Sequence, residues 1–381
     1  MTINNEHKKL NVPNLRFKEF QGEWEKCILG DYGKVVTGNT PPTKDIENYE
    51  NGTYLWASPA DLSTIKLISE TKTKLSSKGF SKTRALPKGS VLVTCIGSTI
   101  GKTGMATKEM STNQQINSIV VNDNNDNEFV YYAIQSAFPR YLSSIAVQAV
   151  PIISKSAFEM LPNKRPCLQE QKKIGKFLSL LDERIATQNK IIDKLQSLIK
   201  GISGRIFASI QGIEYRMGDI ASITNGDSNV QDAVTESNDG LYPFFDRSED
   251  IKYLSTFLFD KEAIIYPGEG AEFIPRYFKG KFALHQRCYA IFDFNEIIDA
   301  QYLYLYLKTQ NSYFVRNAVG STVPSLRLDT FQKLKVVVPP KKIQYSVSLC
   351  LSSMEQKFNI ENDILQMLLK QKQYLLRQMF I

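Results

Sequence analysis

Along residues 168–207 ten positions step four, three, four, three, and nine of them are aliphatic: Ile174, Leu178, Leu181, Ile185, Gln188, Ile192, Leu195, Ile199, Ile202 and Ile206. That is the narrow seam of a coiled coil rather than the broad stripe of a helix lying on a globular core. The stretch opens after Pro166 and contains no proline, and Gly201 and Gly204 weaken only its last turns. Forty helical residues span about 60 Å, far more than an ordinary globular helix. A lone seam of this kind needs a partner. Adding 173 to each number gives Val347, Leu351, Met354, Phe358, Glu361, Leu365, Leu368, Lys372, Leu375 and Met379, a second seam in the same register.

The offset of 173 continues upstream, matching Val150-Pro151 with Val323-Pro324, Phe158 with Phe331, Leu161 with Leu334, Pro166 with Pro339 and Gln171 with Gln344. Farther forward the offset becomes 188, matching Leu29-Gly30-Asp31 with Met217-Gly218-Asp219, Gly38 with Gly226 and Tyr54 with Tyr242. The chain is therefore a tandem repeat of a globular part followed by a long helix, and the middles of the two copies differ. The boundaries read as 1–165, 166–208, 209–338 and 339–381. Short β-branched runs at Lys34–Thr37, Ser90–Thr94 and Ile116–Val121, separated by glycine and proline turns, predict strands, and Phe129–Phe138 reads as a helix. The fold class is mixed α/β: two globules separated by a pair of long coiled-coil helices. A globule of about 130 residues has a radius of gyration near 14 Å and cannot carry the chain back along a 60 Å helix. The helices must therefore run antiparallel, with a pseudo-two-fold relation between the copies.

Composition and charge narrow the function. With 381 residues, 42% hydrophobic, the chain can build two cores. It has no uninterrupted apolar run of membrane-spanning length, and its first residues lack the apolar core of a signal peptide. The five cysteines are scattered without a CxxC pair, and His7 and His285 are the only histidines, so no metal site is expected. The expected compartment is the cytoplasm. The net charge of +8 is concentrated on the helices, since residues 164–208 carry 10 basic and 4 acidic side chains and residues 209–340 carry 13 and 17. This balance points to a polyanionic partner or to solvated helix faces.

In the first globule, Lys66, Lys72, Lys74, Lys78, Lys82, Arg84 and Lys88 crowd a stretch whose single acid is Glu70, interleaved with serine, threonine and glycine. Point charges and small hydroxyl donors on a loop suit phosphate contacts. In the second globule the basic exceptions are Arg247 after Phe244-Phe245, then Arg276, Lys279, Lys281 and Arg287. Arginine can fork onto guanine and glutamine onto adenine, but spacing does not say which side chains reach a base. Gly97-Ser98-Thr99-Ile100-Gly101-Lys102-Thr103 imitates a phosphate-binding loop with one residue too few. Lys102 on a glycine turn beside a DNA phosphate is the functional reading of it. Neither Asn39-Thr40-Pro41-Pro42 nor Val338-Pro339-Pro340 fits the Asn/Asp-Pro-Pro-aromatic motif of a DNA amino-methyltransferase, and no nuclease triplet or hydrolytic triad is discernible. The chain reads as a recogniser without a catalytic centre.

These residues carry a family resemblance. Pro166 through Ile174 (PCLQEQKKI), followed by Phe177-Leu178, Leu181-Asp182 and Ile185, resembles the conserved region of type I restriction–modification specificity subunits. Pro13–Phe17 with Phe20, Gly22–Glu25 and Leu29-Gly30 resembles the leading segment of that family. Gly97–Lys102 is similar to its glycine turn and Asn113-Gln114-Gln115 to the element after it. The second copy departs at two places: Ile343 stands for Glu170, and His285-Gln286 for Gln114-Gln115. The resemblance implies a non-catalytic subunit whose two target-recognition domains each read half of a bipartite site in double-stranded DNA. It implies two modification subunits that bind S-adenosylmethionine and methylate adenine N6, and two restriction subunits that use ATP and magnesium. This chain itself would hold no cofactor. Off the seam, Phe177, Leu180, Ile191 and Leu198 on the first helix and Ile364, Leu369, Tyr374 and Leu376 on the second are apolar, to be covered by partner subunits or by the chain's own globules. A stand-alone DNA-binding regulator and a nucleotide-dependent enzyme are the competing classes.

Overall fold

The computed structural model describes residues 11–62, 66–144 and 152–381. His7 and the Val150-Pro151 pair lie outside the described residues. The chain forms two compact units, one of Met1–Asn189 with Ile364–Ile381 and the other of Lys190–Asp363. Each unit thus takes a part of both long helices, Leu168–Ser209 and Lys341–Met379.

The first unit contains a five-stranded sheet in the order Gly33–Thr37, Ile116–Val121, Val91–Thr94, Thr103–Ala106, Leu67–Ile68. Its neighbours are antiparallel except for the last pair. A three-stranded sheet joins Thr73–Leu75, Tyr54–Ala57 and Ser111–Thr112. Glu25–Ile28 pairs with Pro162–Arg165 where the chain enters and leaves the globule. The expected strands at 34–37, 90–94 and 116–121 are present, and the expected helix extends over Asn127–Ser144. The stretch from Lys66 to Lys88 differs from the expected open loop, because it folds into two short strands and the helix Ser77–Ser81.

The second unit repeats this plan. Its six-stranded sheet runs Ser222–Asn225, Cys288–Phe292, Phe259–Pro267, Arg276–Leu284, Tyr242–Phe245, Lys252–Leu254. Ile213–Arg216 pairs with Lys335–Val338 at the neck, as Glu25–Ile28 does with Pro162–Arg165. The first four strands keep the same order in both units, while the next neighbour differs: Leu67–Ile68 in the first unit, Tyr242–Phe245 in the second.

The long helices pair antiparallel in both units. In the first, Ile174 and Leu178 near the start of one helix share a core with Leu375 and Met379 near the end of the other. In the second, Ile206 and Phe207 at the end of the first helix share a core with Val347 and Leu351 at the start of the second. Every seam position, including Leu181, Ile185, Ile192, Leu195, Phe358, Leu365 and Leu368, is buried or half-buried. Of the polar seam positions, Gln188 and Glu361 are 8% and 7% exposed, and Lys372 meets Asp182 at 2.7 Å. Gln171 fastens the first helix to its globule: its carbonyl accepts from the Asp126 backbone N–H at 3.0 Å and its amide donates to the Pro166 carbonyl at 3.0 Å. Gln344 does the same in the second unit, with Asp299 at 2.7 Å and Pro339 at 2.8 Å. Where Glu170 receives Arg16 at 2.7 Å, the second copy has the exposed Ile343, so this clasp belongs to the first unit.

Candidate nucleic-acid interface

In the first unit three loops leave adjacent strand ends. Thr37 lies opposite Asn117, Thr94 opposite Ile116 and Val93 opposite Thr103, which gathers segments 38–42, 95–102 and 113–115. Gly38 is what permits the contact. A Cβ there would fall 2.2 Å from the Asn113 carbonyl and 2.3 Å from that of Thr112, distances no side chain tolerates. The following residues then lie on the third loop: the Thr40 hydroxyl donates to Gln114 Oε1, and the Asn39 N–H donates to the Thr112 carbonyl at 2.9 Å. Asn39 also accepts from the Arg84 N–H at 3.0 Å and donates to the Lys82 carbonyl at 2.8 Å. Arg84, whose guanidinium donates to the Thr37 carbonyl at 2.7 Å, is thereby brought to the same edge.

The glycine turn joins two antiparallel strands, with the Gly101 N–H donating to the Thr94 carbonyl at 2.9 Å. A nucleotide-binding loop runs from a strand into a helix whose N-terminus faces phosphate; no helix follows this turn. Gly97 and Gly101 have φ of +93° and +89°, which explains their residue type by backbone geometry alone. Lys102 is exposed beside this turn.

The second unit repeats the arrangement, with Asn225 opposite Tyr289 and Pro267 opposite Cys288. A Cβ on Gly226 would sit 2.0 Å from the Leu284 carbonyl. The His285 N–H donates to the Phe245 carbonyl at 2.9 Å as the Asn113 N–H donates to that of Ala57 at 2.9 Å. This corrects the sequence pairing by one residue: His285 stands where Asn113 does, Gln286 where Gln114 does, and Arg287 where Gln115 does. Residue function follows the same order. Asn113 Oδ1 accepts from the Gln115 N–H at 3.1 Å, and His285 Nδ1 accepts from the Arg287 N–H at 3.2 Å, so the first residue shapes the turn in both copies. Burial holds the His285 imidazole below its ordinary pKa of 6.5, consistent with this acceptor role.

The basic side chains singled out in the sequence are dispersed. Lys78 pairs with Glu47 and with Asp45 at 3.6 Å, and Lys82 meets Asp45 at 2.9 Å, so carboxylates from a distant segment supplement Glu70, which takes Lys74 at 2.7 Å. Lys72 is exposed, and its backbone N–H donates to Asp61 at 2.7 Å. Lys66 is 8% exposed and bonds to Glu128 at 2.7 Å and Ser179 at 2.9 Å, tying the globule to the first long helix. In the second unit Arg276 donates to the Ser248 carbonyl, and Arg287 pairs with Glu269 at 2.8 Å. Strand alternation turns Lys279 to the face opposite Arg276, while Lys281 lies over the Phe257 ring at 4.8 Å. Arg247 is exposed next to Asp246. Burial alone would raise the Asp246 carboxyl, but hydrogen bonds from Lys252 and Ser248 outweigh it and hold the group below its ordinary value.

Among the proposed contact residues of the helices, Phe177, Leu180, Ile191, Leu198, Leu369 and Tyr374 are exposed, though Phe177 also meets Phe17 edge-on. Ile364 is half-buried, and Leu376 packs into the first core. Sequence reading passed over Tyr345, Leu349, Ile360 and Met367, whose spacings of 4, 11 and 7 put them on one exposed stripe with Tyr374. The buried thiols of Cys95 and Cys288 are pushed up to about 12 and about 11 by burial, which leaves them unreactive at neutral pH. Among the described residues no cluster of metal-ligating side chains occurs, and no helix is long and apolar enough to cross a membrane.

Two copies of one sheet, each presenting amide and guanidinium groups on converging loops, define a protein with two related recognition surfaces. The family model described as the type I restriction modification DNA specificity domain matches residues 21–197 and again 213–370. The chain belongs to that family: it is a DNA sequence-specificity subunit with two target-recognition domains. It is 24% identical over 371 residues to the type I restriction enzyme MjaIX specificity subunit of Methanocaldococcus jannaschii, covering 84% of each chain. It is 29% identical over 187 residues to the HindI specificity subunit of Haemophilus influenzae, covering 46% of this chain and 40% of that one. Its fold is similar to the crystal structure of the type I restriction–modification S subunit from M. genitalium, with a TM-score of 0.67 at 18% identity over 97% of this chain and 99% of that one.

Proposed function

We propose that this subunit assembles with two modification subunits and two restriction subunits, and that its two domains place them on a bipartite site in double-stranded DNA. The observation that carries this reading is the recurrence of the three-loop surface in both units, each with its own chemistry. Two related but unequal surfaces suit two different half-sites, with a partner beside each. In this reading S-adenosylmethionine, ATP and magnesium belong to the partners, adenine-N6 methylation and DNA cleavage are activities of the complex, and the assembly works in the cytoplasm. The exposed apolar residues of both helices supply area for partner helices without help from the seam.

Co-expression with a modification subunit tests this. A complex should co-purify and should methylate a two-part motif with an undefined spacer, while the isolated chain should bind neither S-adenosylmethionine nor ATP in titration calorimetry. Micromolar affinity of the isolated chain for either, or methylation of a single uninterrupted motif, would overturn the reading.

A further inference from the structure

The turn 113–115 and its counterpart 285–287 hold equivalent positions in the two units, and their three residues divide the work. The first, Asn113 or His285, is spent on its own turn. The second is glutamine in both, and both are exposed. The third differs, as Gln115 against Arg287. We propose that this turn is the base-reading element of each domain, and that its third residue sets a difference between the half-sites: Arg287 selects guanine in the half read by the second domain. The proposal rests on the DNA-specificity reading and names the residues that execute it.

Pre-organisation supports the assignment. Gln114 is exposed and has its carbonyl oxygen held by the Thr40 hydroxyl, which leaves one oxygen lone pair and both amide hydrogens available to a ligand. That is the pair of groups an adenine edge requires. Gln115 is half-buried and has its oxygen engaged by the Asn113 amide at 2.9 Å, so it offers less to a base than the exposed Gln114 does. Arg287 is 62% exposed, and Glu269 holds one terminal nitrogen at 2.8 Å. The other terminal nitrogen and Nε form the remaining edge of the guanidinium, which matches the O6 and N7 acceptors of guanine. Glu269 is 17% exposed and also accepts a long, 3.5 Å contact from Ser325, and its ion pair orients the arginine. Lys74 and Lys82 carry carboxylate partners, and a lysine on a phosphate would carry no sequence information in any case.

The test uses the co-expressed complex and methylome sequencing. Arg287→Gln should relax or change one guanine position in one half-site and leave the other half intact. Arg287→Ala should make that position degenerate. Gln114→Leu should alter one position in the opposite half. In anisotropy titrations of the purified complexes against duplexes substituted at that position, discrimination should fall by roughly 5- to 150-fold, the range for loss of one bidentate base contact. These titrations also read out any variant too weak to methylate. An unchanged motif and unchanged discrimination in both Arg287 variants would overturn the proposal while leaving the subunit assignment standing. Failure of the wild-type complex to show a bipartite motif would instead sink the assignment itself.

Discussion

Gln171 gives the sharpest test of how the globules are held to the helices. Its side chain is 1% exposed and satisfies the backbone N–H of Asp126 and the carbonyl of Pro166, with a longer bond to Asn125 Oδ1 at 3.3 Å. Gln171→Leu keeps the volume and removes all of these bonds. Two backbone groups at this junction then lose their partners, at about 1–3 kcal/mol each, for an expected loss of about 2–6 kcal/mol. In a unit of this size each kcal/mol moves the melting temperature by about 2–4 °C, so a drop of roughly 8–16 °C is expected for a mid-range loss. Differential scanning calorimetry measures it. Gln344→Leu breaks the same bonds in the second unit and should cost a similar amount. Gln169→Leu, at an exposed position two residues away, should stay within about 0.5 kcal/mol of wild type. If Gln171→Leu behaves like Gln169→Leu, these bonds do not fasten the globule, and the recurrence of the glutamine in both copies needs another cause.

Two further outcomes follow from polar groups in apolar settings. Leucine at both Gln188 and Glu361 should preserve or raise the melting temperature, because both are buried on the seam and apolar replacements of buried polar groups are often neutral or stabilising; a loss above about 2 kcal/mol would show that they satisfy groups leucine cannot. Asp246, whose carboxyl is held below its ordinary pKa of 3.8, should contribute stability that is fully present above that value and lost as pH falls through the lower folded one. Asp246→Asn should therefore destabilise at pH 7, and the gap should close in urea titrations taken below pH 4; a gap independent of pH would mean that the carboxylate's charge is not what Lys252 and Ser248 recognise.

The sequence by itself determined the architecture. A four-three apolar step repeated at a constant offset can only be two helices sharing a seam, and Gly38 with Gly226 marked the same tight approach in both copies. Phe158 with Phe331 and Gln171 with Gln344 fixed the frame for the same reason: burial and hydrogen bonding constrain residue type strongly, so the pattern survives in one dimension. The site was less legible. Runs of lysine looked like a surface for phosphates, yet Asp45 and Glu47 lie some thirty residues away in sequence and reach Lys78 and Lys82 only after folding. Lys66, in the same run, is drawn into a buried contact with the first long helix. Arg276 and Lys279 seemed one cluster until the pleat of a strand turned them to opposite faces. Only the tertiary structure aligned Gln286 with Gln114 and Arg287 with Gln115, because that register is set by backbone bonds to Phe245 and Ala57, residues distant in sequence from the turns they hold.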